Sequence, residues 1–295
     1  MFKFKARLIS FILLIAMTIC LMPSVTAFAA LPAKPETVNY VALGDSIATG
    51  TVLGSSKITS YVAYFGEHLR TNYSTNLTSK VTNLAHDGDA SNELLALLQS
   101  STERQNDASS GSNTLSRAIS SDEAAAVQAA VISAHVITIS VGGNNLMRAA
   151  NIPGFTTIDK VKAAKGVTDF NIQWPLIIAK IRAYNPNVVI LVNTVFNPYN
   201  TVAISGYRND SALHTQVDGY LLKINELINV NKMLGAQKQY GVANVHDTFH
   251  SYATKGKMGS ITYFYPFLSF LRNPHPNSTG QQLIKTGNVN SFTTY

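Results

Sequence analysis

Five short strand-like runs, separated by helix-like segments, constrain the fold of this chain more than any other feature. They are predicted to be strands at Val38–Leu43, Lys80–Leu84, Val136–Val141, Val188–Val195 and Val242–Val245. The third run is the clearest, because it is rich in β-branched residues and ends at Gly142-Gly143. Strands that alternate with helices predict an α/β fold, in which helices cover both faces of a parallel sheet in one domain.

The segments between these runs carry helical signals. Helices are predicted at Ser60–Leu69, Asn92–Leu98, Phe170–Tyr184 and Leu213–Met233, with a closing helix that begins in Ser278–Lys285. Ser120 and Glu123 are predicted to form a capping box before the Ala-rich run 124–134. Residues 100–121, which are rich in Ser, Asn, Thr and Asp, are predicted to be a solvated loop.

The N-terminus has the layout of a secretory signal peptide. Lys3, Lys5 and Arg7 precede an apolar run, and small residues around Ala29 follow it. We therefore expect residues 1–29 to be a signal peptide, residues 30–295 to form a single domain, and the protein to be secreted. The lone cysteine lies at position 20, so the mature chain would have no thiol and no disulfide.

Composition excludes some classes of function. The chain is 46% hydrophobic and 13% charged, which is enough apolar material for a sizeable core. Its formal charge of +7 would fall to about +4 without the three basic residues of the leader, and no basic block stands out. Nucleic-acid binding is therefore not predicted, and neither is a stable membrane span after residue 30.

Residues that could take part in catalysis follow the predicted strands. Parallel sheets bind ligands at the carboxyl ends of their strands, which is where Ser46, Gly88 and Asn144 lie. Ser46 ends Gly44-Asp45-Ser46, although a helix cap is the plainer interpretation of that motif alone. The amide of Asn144 and the N–H of Gly88 can donate to an oxyanion, although each also fits an ordinary turn.

His275 lies between two prolines, Pro274 and Pro276. The prolines restrain the backbone on both sides of the imidazole and exclude a helix there. A rigidly held imidazole suits a general base, whereas the alternative is an exposed loop histidine.

In this order, the motifs resemble the SGNH or GDSL-type hydrolases, specifically the secreted bacterial lipase and esterase branch. The resemblance runs from about Val38 to Ile284. It implies a three-layer α/β/α sandwich around a mainly five-stranded parallel sheet, of the flavodoxin-like kind. It also implies Ser46 as nucleophile, His275 as base, and an oxyanion hole formed by Ser46, Gly88 and Asn144.

Two positions depart from the family pattern. Asn145 stands where the family usually has Asp, which changes a supporting hydrogen bond. Arg272 stands where the family usually has the acid that orients the base, and no carboxylate lies between Ser260 and Tyr295. Two groups could then orient the ring. One is a main-chain carbonyl near Arg272 or Asn273, and the other is the side-chain oxygen of Asn273. We expect a working Ser–His dyad, slower than a full triad.

The expected reaction is hydrolysis of carboxylic esters of lipids or short acyl chains through an acyl-enzyme on Ser46, without a cofactor. The segment Tyr263–Leu271 is predicted either to wall an acyl pocket or to pack in the core. The alternatives are an esterase that removes O-acetyl groups from polysaccharides, and a catalytically weak relative that only binds carbohydrate or lipid.

No metal site is predicted. His246, Asp247 and His250 are expected to end a strand and begin a loop, and no third ligand follows them at a useful spacing. His68 and His214 are expected to be surface groups on helices.

Overall fold

The computed structural model describes residues 33–111, 113–148, 157–203, 211–264 and 272–295. The strands are β1 Thr37–Gly44, β2 Thr51–Leu53, β3 Ser56–Lys57, β4 Thr78–Asn83, β5 Val136–Ser140, β6 Val189–Asn193, β7 Met233–Leu234, β8 Gln237–Lys238, β9 Gly241–Ala243, β10 Thr262–Phe264 and β11 Arg272–Pro276. The helices are α1 Ser46–Thr49, α2 Tyr61–Asn72, α3 Ser91–Leu98, α4 Ser101–Ser110, α5 Ser121–Ser133, α6 Gly143–Met147, α7 Lys160–Tyr184, α8 Ser211–Val230, α9 Val245–Ala253 and α10 Ser278–Thr293.

The central sheet has five strands in the order β4-β1-β5-β6-β9. All neighbouring pairs in it are parallel. These five strands correspond to the five predicted strands, so the α/β fold class and the five-stranded parallel sheet are confirmed. The remaining strands form short two-stranded ribbons, of which β2-β3 and β10-β11 flank the carboxyl edge of the sheet.

Alternate side chains of the strands enter two separate cores, one on each face of the sheet. One face packs against α3, α5, α7 and α8 through Val41, Leu43, Ile137, Ile139, Ile190 and Val192. The opposite face packs against α2, α9 and α10 through Val38, Tyr40, Ala42, Val136, Val189 and Leu191. Because successive side chains of a strand point to opposite faces, this pattern makes three layers, helix on sheet on helix.

The loop predicted at 100–121 is wrong over ten of its 22 residues, because α4 occupies Ser101–Ser110. The Ser100 side chain accepts from the Glu103 backbone N–H, and the Glu103 carboxylate accepts from the Ser100 N–H, which completes a capping box. Gly111 ends the helix in the left-handed conformation, and Lys180 pairs with Glu103. The helix is polar on all sides, so its hydrophobic periodicity gave no signal.

Other predicted elements also need correction. The Ser120 hydroxyl caps α5 as expected, but the Glu123 carboxylate pairs with Arg117 instead of closing a capping box. Helix α7 begins ten residues earlier than predicted, after Asp159, whose carboxylate accepts from two backbone N–H groups of the first turn. Proline 175 lies inside this helix and does not end it.

The histidine-bearing segments also differ from expectation. Residues 245–253 form helix α9 and not a loop. His214, expected on the surface, is only 4% exposed. Among the described residues, no helix has the length and apolar character that crossing a membrane requires.

Candidate active site

Ser46 begins α1, directly after β1. Gly44 adopts a φ of +133°, and a Cβ there would lie 2.0 Å from the Ser140 carbonyl oxygen, so the close approach of β1 to β5 requires glycine. The Asp45 carboxylate caps α1 by accepting from the Ile47 N–H at 3.0 Å. This tight turn exposes the Ser46 side chain at the carboxyl edge of the sheet.

The Ser46 hydroxyl contacts the imidazole of His275. The distance between Ser46 Oγ and His275 Nε2 is 2.8 Å, although 229 positions separate the two residues. β11 carries His275 to this point by pairing with β10, and Asn277 caps α10 immediately after it. The two groups have the geometry of a nucleophile and its base.

The second ring nitrogen of His275 contacts the side chain of Asn273. The distance from His275 Nδ1 to Asn273 Oδ1 is 2.5 Å, and the same oxygen accepts from the His275 backbone N–H at 3.0 Å. Asn273 Nδ2 donates in turn to the Val52 carbonyl of β2. An oxygen acceptor requires the proton to be on Nδ1, which leaves the Nε2 lone pair facing Ser46. Of the two alternatives left open above, this geometry selects the asparagine side chain.

Asp87 supplies the carboxylate charge that acts on His275. Its two oxygens accept from the hydroxyls of Thr49 and Thr51 at 2.5 and 2.6 Å. Burial acts to raise the pKa of Asp87, but these two hydroxyls, with Lys57 and His275, hold it below its ordinary value. Asp87 therefore carries a full negative charge at neutral pH.

Burial is the main influence on the pKa of His275. It lowers the pKa of His275 below the ordinary value of 6.5, and the charge of Asp87 and the Val52 carbonyl offset part of that effect. The imidazole is consequently neutral at pH 7, which is the form a general base needs. Asp87 has no signal in the sequence, because nothing there shows that it contacts Thr49 and Thr51 near His275.

Asp45 is a poor candidate for a permanent charge. Burial raises its pKa to about 7, and the charges of Asp89 and Asp87 act in the same direction. Its carboxyl group is therefore partly protonated at neutral pH, and its structural contribution is the cap of α1.

Gly88 and Asn144 line the same cavity as Ser46 and His275. Gly88 has a φ of +84°, which favours glycine, and a Cβ there would meet nothing within 4 Å. The Asn144 amide donates to the Asp89 carbonyl at 2.9 Å, which fixes that side chain beside the Gly88 loop. Asn144 has a second amide N–H and Gly88 has its backbone N–H, so each of these two lining residues carries a hydrogen-bond donor.

An ion pair between the buried Glu93 and the exposed Arg148 lies beside the Gly88 loop. Glu93 is fully buried, and its carboxylate accepts from Arg148 Nη2 at 2.6 Å. The same guanidinium nitrogen lies 3.4 Å from the Gly88 carbonyl oxygen. No pattern in the sequence indicates this pair, although Glu93 follows Gly88 and Arg148 follows Asn144 within five residues.

Asn145 makes hydrogen bonds to Ser91. Its Oδ1 accepts from the Ser91 N–H at 3.1 Å, and its Nδ2 donates to the Ser91 hydroxyl at 2.7 Å. An amide can make both bonds, whereas an ionised carboxylate could only accept. The substitution for Asp is thus matched by its local partners.

The cavity beside Ser46 has a volume of about 540 Å³, within the range of roughly 300–1,000 Å³ typical of small-molecule pockets. Away from Ser46 and His275 its walls are mainly apolar, formed by Leu53, Val141, Leu146, Met147, Ile158, Val195, Phe196, Tyr199, Leu213, Val217 and Leu221. Of the segment Tyr263–Leu271, Phe264 packs in the core with Tyr199 and Leu213. Residues 265–271 lie outside the described part of the chain.

Comparison with protein families gives one match across most of the chain. The model of the family GDSL-like Lipase/Acylhydrolase matches residues 40–285, a span that contains Ser46, Gly88, Asn144 and His275. None of the curated proteins compared with the chain matches it.

Solved structures share the fold at low sequence identity. A lipase from a goat rumen metagenome is 16% identical, with a TM-score of 0.57 over 86% of this chain and 97% of the lipase. A phospholipase A1 from Streptomyces albidoflavus NA297 is 15% identical, with a TM-score of 0.56 over 88% and 99%. A catalytic mutant of an acetylxylan esterase from Geobacillus stearothermophilus is 14% identical, with a TM-score of 0.53 over 90% and 98%.

Proposed function

The chain belongs to the GDSL-like lipase/acylhydrolase family and is an ester hydrolase, and from this premise we propose that it is a secreted lipase with Ser46 as nucleophile and His275 as general base. The observation that carries the proposed roles is the 2.8 Å contact between Ser46 Oγ and His275 Nε2. The proposed substrates are carboxylic esters with an apolar acyl chain.

The proposed reaction has two acyl-transfer steps. His275 Nε2 takes the proton of the Ser46 hydroxyl as Oγ bonds to the ester carbonyl carbon. The resulting oxyanion accepts hydrogen bonds from the N–H groups of Ser46 and Gly88 and from the Asn144 amide. When the tetrahedral intermediate collapses, the carbon–oxygen bond to the alcohol breaks and His275 protonates the leaving oxygen. Water then attacks the acyl-enzyme by the same route and releases the acid.

The proposed base works without an adjacent carboxylate. Asn273 fixes the tautomer of His275 but brings no charge to the imidazolium that forms during the reaction. The charge of Asp87 stabilises that cation from a greater distance, because it already raises the pKa of His275. We therefore expect lower turnover than a full triad would give, with the oxyanion donors retaining much of the catalysis.

The walls of the cavity favour a lipid substrate over a sugar ester. Apolar side chains such as Leu146, Val217 and Leu221 offer no hydrogen bonds to a polysaccharide, whereas they gain free energy by excluding water from a buried acyl chain. The lipase and the phospholipase A1 that share the fold are consistent with this choice.

The test is hydrolysis of p-nitrophenyl esters of increasing acyl length, with acetylated xylan assayed in parallel. We expect kcat/KM to rise with acyl length beyond acetate, because each buried methylene contributes about 0.8 kcal/mol. Ser46→Ala should lower kcat by about 10⁴-fold or more, while Ser109→Ala, on the exposed helix α4, serves as the matched control. A preference for acetyl esters and release of acetate from xylan would instead identify a polysaccharide O-acetyl esterase.

Secretion needs a separate test. If residues 1–29 are a signal peptide, the protein recovered from the culture medium should begin at Ala30 when its N-terminus is sequenced. Protein that stays with the cells and keeps residues 1–29 would contradict this part of the proposal.

A further inference from the structure

Helices α8 and α9 bring together three metal-ligating side chains outside the site described above. His214 and Asp218 are four residues apart on α8, and His250 lies on α9. One ligand atom from each residue lies within 4.8 Å of the other two. Residues at positions i and i+4 share one helix face, so the two α8 side chains point the same way.

Two of these side chains present buried nitrogens that lack a partner. His214 Nε2 and His250 Nδ1 are buried, and neither has a hydrogen-bond partner in the described part of the chain. His214 as a whole is only 4% exposed. A buried polar atom without a partner costs about 1–3 kcal/mol, so such atoms are rare and two in one cluster call for a ligand. The centroids of the two rings are 5.7 Å apart, and the rings do not form a hydrogen bond with each other.

The carboxylate in this cluster is held by its neighbours. Asp218 Oδ1 accepts from Asn197 Nδ2 and contacts His246 Nε2, each at 3.2 Å. The other nitrogen of His246 contacts Asp247 at 3.0 Å, which fixes that ring as well. Ligating carboxylates in metal sites are oriented by outer hydrogen bonds of this kind.

We propose that His214, Asp218 and His250 bind one divalent transition-metal ion of the zinc type. Two imidazole nitrogens and one carboxylate oxygen form a ligand set that suits Zn²⁺, whereas Ca²⁺ and Mg²⁺ require oxygen ligands. Three protein ligands leave the fourth position of a tetrahedral ion to water. The expectation of no metal site rested on sequence spacing, whereas two of the three ligands, His214 and Asp218, come from a helix that precedes the histidine-rich segment by about thirty residues.

The ion would fasten the wall of the substrate cavity. Leu213 and Val217 line the cavity, and each directly precedes one of the α8 ligands, His214 and Asp218. Asn197, which donates to Asp218, lies between Phe196 and Pro198, which line it too. Metal binding across α8 and α9 thus stabilises the wall against which we expect the acyl chain to pack. This site is separate from Ser46 and His275, and its test does not depend on their roles.

The experiment uses untagged protein, stripped with EDTA and dialysed. Titration with ZnCl₂ by calorimetry should give one bound ion per chain, and saturating Zn²⁺ should raise the melting temperature by about 5 °C. Co²⁺ in place of Zn²⁺ should give the visible absorption of a four-coordinate site. His214→Gln and His250→Gln should each abolish the cobalt spectrum and the thermal shift. His68→Gln, on α2 at the opposite face of the sheet, is the matched control and should keep both.

Several results would overturn the proposal. They are the absence of one-to-one binding by the wild-type protein, equal binding by both glutamine variants, and loss of binding in His68→Gln. If His214→Gln does not fold, circular dichroism will show it, and His250→Gln, whose side chain is less buried, decides the question alone. Hydrolysis of esters is not part of the readout, so failure of the ester hydrolase mechanism would leave the outcome interpretable.

Discussion

Replacing Asn273 by alanine should slow catalysis without unfolding the protein. The substitution removes the oxygen that holds His275 Nδ1 at 2.5 Å and the bond from Asn273 Nδ2 to the Val52 carbonyl. Each of these two bonds contributes about 1 kcal/mol net. If neither bond orients the imidazole any longer, the activation free energy rises by about 2 kcal/mol and kcat falls about 30-fold.

The assay is kcat for a p-nitrophenyl ester at a pH where His275 is neutral, with the melting temperature measured on the same samples. Asn273→Asp keeps an oxygen acceptor beside Nδ1 and should retain more activity than Asn273→Ala. Asn76→Ala, an exposed asparagine remote from the cavity, is the matched control. A fall of less than about threefold in Asn273→Ala with an unchanged melting temperature would mean that a main-chain carbonyl orients the ring instead.

Three other predictions concern neighbouring residues. Asn144→Ala should lower kcat about 10²- to 10³-fold by removing an oxyanion donor, and steady-state kinetics that show a change in KM alone would contradict it. Activity should rise with pH through the pKa of His275, which burial lowers below 6.5. Because the charge of Asp87 raises this pKa, Asp87→Asn should move the rising limb of the kcat/KM profile to lower pH. A limb that stays in place or moves to higher pH would refute the role of Asp87. Gly44→Ala should reduce the free energy of unfolding in urea by about 3 kcal/mol or more, because its Cβ would lie 2.0 Å from the Ser140 carbonyl oxygen; a wild-type midpoint would count against that contact.

The sheet was predictable because the patterns of its strands are strong. β5 and β6 are buried on both faces, and their mostly apolar, β-branched sequences are typical of strands in a covered parallel sheet. The motifs at Ser46 and His275 were likewise predictable from the sequence, because Gly44 precedes the first and prolines flank the second. Their contact, across 229 positions, depended on resemblance to a family and not on any local pattern.

What the sequence could not show depends on long-range placement. Asp87 acts on His275 through its charge, and the hydroxyls of Thr49 in α1 and Thr51 in β2 hold it, two short elements that carry no hydrophobic period. His214 is buried where side chains of α8 meet the His250 ring of α9, and helix periodicity alone gave no sign of that partner. Helix α4 was predicted as a loop because its segment is polar in composition. Its capping box and its terminal glycine were nevertheless present in the sequence.

The most direct test of the central claim is covalent labelling of the wild-type protein with an organophosphonate, followed by peptide mass spectrometry. The 2.8 Å contact between Ser46 Oγ and His275 Nε2 predicts one adduct, on Ser46, formed far more slowly in His275→Ala. An unmodified Ser46, or an adduct that forms equally fast without the imidazole, would contradict the account.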